Sequence, residues 1–89
     1  MSDGRVEELR AQIGENDRAI VSAVNERLRL VAELWVLKSE QGLGRVDPER
    51  ELRLQAELAA ANDGPLSDAG LEHLVAELLR LTKRELDQI

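Results

Sequence analysis

Arg27 and Lys38 stand eleven residues apart in a segment whose apolar residues Val6, Leu9, Ile13, Ile20, Val24, Val31 and Leu34 recur at spacings of three and four or their sums. Eleven helical steps of about 100° return to within about 20° of the same face, so both cations interrupt one apolar stripe. A charge on such a stripe is costly unless it meets an anion, supplied by the protein or by a ligand. Each could pair with a Glu of another helix or extend its head to solvent. Asp47, Arg50 and Glu51 lie at i, i+3 and i+4, close to one face of a helical first turn. Thr82, four after Leu78 and four before Leu86, sets a hydroxyl on a later stripe, where a buried Thr ordinarily bonds its own i−4 carbonyl. Arginine suits bidentate recognition of carboxylates and lysine supplies a compact charge, so the set fits a small anion. With no cysteine and one histidine, His73, which reads as a surface residue beside Glu72, thiol catalysis and a metal site are not expected.

The rest of the composition narrows the class further. The chain has 89 residues, a net charge of −6, 34% charged residues and one aromatic, Trp35. An acidic chain without stacking platforms does not fit nucleic-acid binding, which rests on a basic surface. No apolar run approaches the roughly 18 residues that span a bilayer, and the polar, acidic start from Met1 to Arg10 is unlike a signal peptide. A soluble cytoplasmic protein is expected. Its core must come from sixteen leucines with Val, Ile and Ala, and one core in so short a chain is marginal, which favours oligomerisation.

Breakers divide the chain at Gly42 to Pro48 and Asn62 to Pro65, predicting an all-α domain over 1–89 with helices at about 5–41, 48–61 and 68–88. Asp47 caps and Pro48 opens the second helix, and Ser67 caps the third, which carries Leu71, Leu74, Val75, Leu78, Leu79, Leu81 and Leu86. A first helix of that length is about 55 Å long, whereas a globule of this mass has a radius of gyration near 12 Å. It needs a partner, most simply a second copy. Arg10 lies about 25 Å along the helix from Arg27, out of reach of the same site within one chain. In an antiparallel pair it would lie beside the partner's site; alone it reads as a solvated arginine. Asn16 on the seam could fix the register of such a pair.

Leu9-Arg10-Ala11-Gln12-Ile13, Asp17, Asn25-Glu26-Arg27, Lys38, Asp47-Pro48-Glu49-Arg50-Glu51 and Asn62-Asp63-Gly64-Pro65-Leu66-Ser67, taken together, resemble the all-helical (AroQ-type) chorismate mutases over essentially the whole chain. Each motif is short, and the joint spacing carries the likeness. The resemblance implies an intertwined helical-bundle homodimer whose two active sites are each completed by one residue of the other chain. It also implies rearrangement of chorismate to prephenate without cofactor or metal. By match to the family pattern, Arg27 and Arg50 with the other chain's Arg10 would hold the substrate carboxylates. Lys38 would donate to the ether oxygen, Glu51 would take the ring hydroxyl with Asp47 at the same corner, and Thr82 would stand near a carboxylate.

Three departures from the pattern stand out. Leu86, counted with the substrate-binding residues, takes the place of a Gln or Glu that shares the ether oxygen, with Glu85 adjacent. Trp35 stands where the family generally has Gly, and is expected to fill the core at a dimer seam rather than to wall the pocket. Gly14 and Asn16 replace an acidic and an apolar residue. The alternatives on the same scaffold are a 4-amino-4-deoxychorismate mutase and an isochorismate-pyruvate lyase. A weakly active helical dimer acting through a partner such as DAHP synthase, or a helical module without ligand, would stand outside these chemistries.

Overall fold

The computed structural model describes residues 2–87, and its elements are three helices, α1 (Ser2–Glu40), α2 (Pro48–Ala61) and α3 (Asp68–Leu86). The second helix has the bounds expected from Pro48 and the Asn62 turn. The first runs from Ser2 to Glu40 rather than 5–41, and the third ends at Leu86 rather than 88, a residue outside those described.

The end of α1 bears directly on Lys38. Gly42 takes φ 72°, its N–H bonds the Ser39 carbonyl at 3.1 Å, and the Leu43 N–H bonds the Lys38 carbonyl at 2.7 Å. This is the Schellman stop, in which a glycine accepts the left-handed conformation that other residues resist. It closes the helix one turn past Lys38 and turns the chain back toward α2. Asp47 then caps α2 by accepting from the Arg50 N–H at 3.2 Å, with Pro48 in the first turn. Ser67 caps α3 by accepting from the Gly70 N–H at 3.0 Å. A Cβ at Gly70 would lie 2.7 Å from a Leu66 methyl, the end of an exposed side chain that would have to shift, and 3.1 Å from the capping Ser67 hydroxyl.

Among the described residues, α3 packs against both α1 and α2. Its buried residues Leu71, Val75, Thr82 and Leu86 follow spacings of four and seven, the inward stripe of a helix covered from two sides. Leu74 and Leu81, expected on that stripe, are 47% and 37% exposed because they lie toward its edges. Along the N-terminal half of α1, Val6, Leu9, Ile13 and Ile20 are 41–58% exposed. The molecule measures 62 × 27 × 17 Å with a radius of gyration of 17.0 Å, against about 12 Å for a compact chain of this length. No described helix is long and apolar enough to cross a membrane.

Candidate active site

The C-terminal half of α1, the α1–α2 loop, the first turn of α2 and the end of α3 enclose a cleft of about 320 Å³. Its apolar surface comes from Leu30, Val31, Leu34, Leu54 and Leu79. Set into it are Arg27, Lys38, Asp47, Arg50, Glu51 and Thr82, six of the eight residues singled out from the sequence. The eleven-residue spacing of Arg27 and Lys38 therefore does put both on one wall, and the cap of α2 brings Asp47, Arg50 and Glu51 opposite.

Two further cations, Arg45 and Lys83, line the same cleft. Their signals are weak in the sequence, since Arg45 lies in a loop without periodicity and Lys83 is one residue off the α3 stripe. Five cationic side chains thus face two carboxylates in a chain whose net charge is −6. Such a concentration of positive charge against low-dielectric walls focuses a potential that attracts anions. Among the described residues, no three His, Asp or Glu side chains gather as a metal site.

The local hydrogen bonds assign parts to individual groups. Thr82 is buried, and its hydroxyl donates to the Leu78 carbonyl at 2.7 Å, as expected for a helical threonine. With its proton engaged there, the hydroxyl oxygen accepts from Arg27 Nη1, so Thr82 orients the guanidinium. Lys38, half-buried, donates from Nζ to the Arg45 carbonyl at 3.4 Å. Lys83 Nζ lies 3.9 Å from Glu51 Oε1, a pair exposed enough to yield readily to a ligand. Among the described residues, the remaining side-chain donors of Arg27, Lys38 and Arg50 make no hydrogen bond within the chain.

Arg10 and Leu86 lie elsewhere. Arg10 is exposed on the N-terminal half of α1, paired with Glu7 at 2.9 Å, and does not line the cleft of its own chain. Leu86 is 9% exposed and lines a separate hollow with Ala32, Trp35, Val36, Ser39, Glu40 and Arg45. One helical turn, about 5.4 Å, carries α3 from Thr82 in the cleft to Leu86, which in this chain is buried beside Trp35 and does not line the cleft. Glu85 is exposed and lines neither. Trp35 is half-buried and does wall the cleft, with its other side toward the hollow. Leu86→Gln is therefore expected to lower stability by about 1–3 kcal/mol through a buried, poorly partnered amide, with no gain in activity. Denaturant unfolding and a rate assay on the same preparation check both halves of this expectation.

The sequence profile described as chorismate mutase type II matches residues 9–86, nearly the whole chain. The chain belongs to this family. Among solved structures it is similar to the chorismate mutase (form I) from Thermus thermophilus, with 36% sequence identity and a TM-score of 0.84. That match covers 88% of this chain and 98% of the other. A search of curated proteins returned no significant match.

Proposed function

We infer that this chain is a chorismate mutase, an isomerase that converts chorismate to prephenate. The observation that carries the reading is the meeting of Arg27, Lys38 and Arg50 in one apolar-walled cleft of a family member. Chorismate is a dianion with an ether-linked enolpyruvyl group, and its rearrangement breaks the C–O bond while a C–C bond forms within the same molecule. The protein must hold the compact conformer and stabilise negative charge growing on the ether oxygen. Arg27, oriented by Thr82, and Arg50 engage the carboxylates. Lys38 donates to the ether oxygen, and Glu51 with Asp47 receives the ring hydroxyl. The rearrangement is intramolecular and redox-neutral, so the chemistry itself calls for no cofactor.

The working unit in this reading is a homodimer. The exposed surface of the chain is 7274 Å², about 2,000 Å² more than a compact monomer of its mass presents, while a stable interface needs only about 800 Å² per partner. Antiparallel pairing of two α1 helices would cover Val6, Leu9, Ile13 and Ile20 and bring each Arg10 to the partner's cleft, where its guanidinium joins those of Arg27 and Arg50 to complete the site. The lack of cysteine supports a cytoplasmic setting. The leucine at position 86, a side chain without a donor, favours a second reading, in which Lys38 alone serves the ether oxygen, intrinsic turnover is slow, and a partner enzyme such as DAHP synthase raises it.

Thermal unfolding with a dianionic bicyclic transition-state analogue tests the reading. At 100 times its dissociation constant the analogue is expected to add about 2.7 kcal/mol, a rise of several degrees in Tm, with no rise in an Arg27→Ala chain. An unchanged Tm in the unsubstituted protein at millimolar analogue would contradict it.

A further inference from the structure

The part of the cleft that the mutase reading leaves without a task is the corner made by Trp35 and Arg45. The Arg45 guanidinium lies over the Trp35 ring, 4.5 Å from its centroid, and Arg45 Nη1 is 3.2 Å from Asp87 Oδ1. The backbone carbonyl of the same arginine accepts from Lys38 Nζ, and Trp35 and Lys38 are neighbours at i and i+3 on α1. Both Trp35 and Arg45 line the cleft.

Stacking on an indole engages the π face of a guanidinium and leaves its in-plane N–H donors available. Asp87 engages one edge of Arg45, and the donors on the other edges are free to meet an anion. A long side chain in a loop would otherwise have to be ordered by the ligand itself. We propose that Trp35 is a positioning residue of the site: its ring holds Arg45 at the cleft as a further donor to a substrate carboxylate, and through the Arg45 carbonyl sets where the Lys38 ammonium rests. This rests on the mutase reading for the identity of the substrate. The stacking and the tether to Lys38 stand independently of it.

Two comparisons on the full-length chain test the proposal. In the first, without ligand, fluorescence of Trp35, the sole tryptophan, is recorded for the unsubstituted protein and for Arg45→Ala, a substitution at an exposed loop residue. The emission is expected to shift when the guanidinium leaves the ring, and superposable spectra would overturn the stacking. In the second, steady-state kinetics with chorismate are measured for Trp35→Leu, Trp35→Phe, Arg45→Ala and the Trp35→Leu/Arg45→Ala pair. Ordering one long side chain at the substrate's expense corresponds to about a two- to tenfold rise in KM, expected for Trp35→Leu and Arg45→Ala with a smaller fall in kcat. Trp35→Phe, which keeps an aromatic face, is expected to recover most of the loss. The double variant is expected to be no worse than either single one, because both remove the same unit. An unchanged KM in Arg45→Ala, a Phe variant as impaired as the Leu variant, or additive losses would overturn the positioning role while leaving the mutase reading intact. If the unsubstituted protein does not turn over chorismate, alone or with DAHP synthase added, the mutase reading fails, and the fluorescence comparison still decides whether Arg45 is held on Trp35.

Discussion

Lys38→Ala is expected to lower kcat and kcat/KM together by about 10²–10³-fold, the loss seen when one preorganised donor to a developing oxyanion is removed. The upper end of that range applies here for a chemical reason: the leucine at position 86 carries no donor, so no second group from that position could share the ether oxygen with Lys38. The fold is expected to survive, since Lys38 is half-buried and its one hydrogen bond, to the Arg45 carbonyl, is long at 3.4 Å. Arg27→Ala is expected to be comparably inactive for a different reason. It removes the guanidinium proposed to hold a substrate carboxylate and leaves the buried Thr82 hydroxyl without its donor, so KM is expected to rise as well as kcat to fall. Steady-state rates alongside far-ultraviolet circular dichroism distinguish loss of chemistry from loss of fold. Full activity in either variant would remove that residue from the site.

Mixing an Arg10→Ala chain with an Arg27→Ala chain is expected to restore activity that neither possesses alone. In an antiparallel dimer each cleft draws Arg27 from one chain and Arg10 from the other. A mixed dimer therefore has one cleft with both defects and one with neither. Random exchange of equal amounts makes half the dimers mixed, so about a quarter of all clefts are intact and the specific activity should reach about 25% of the unsubstituted protein's. Arg10 is chosen because it does not line its own chain's cleft and its partner there, Glu7, is an exposed i, i+3 neighbour. Its replacement costs the isolated chain little. No recovery, with chain exchange shown by mass-tagged subunits, would mean that the clefts are not shared.

Periodicity and capping residues make most of this architecture legible in the sequence. The bounds of α2 follow from Asp47-Pro48 and the Asn62 turn, and the meeting of Arg27 with Lys38 follows from eleven residues being close to three helical turns. Arg45 leaves no such trace, because its position depends on a loop path fixed by Gly42 and on an aromatic face at Trp35, neither of which has a spacing signal. Lys83 is equally hard to find, since it sits beside Thr82 rather than on its stripe, although a long lysine stem reaches the cleft from there. The i+4 relation to Thr82 points Leu86 toward the site. That relation holds along the helix axis, but in this chain Leu86 is buried and lines a separate hollow with Trp35. The stripe of Val6, Leu9, Ile13 and Ile20 carries the right period for burial, yet within the single chain these residues are 41–58% exposed.

The most direct test of the central claim is chorismate consumption by the purified protein, followed by ultraviolet absorbance, with acid conversion of the product to phenylpyruvate to identify prephenate. Saturable turnover to prephenate, lost in Lys38→Ala, is the expected result. A folded protein that consumes no chorismate, alone or with DAHP synthase added, would contradict it.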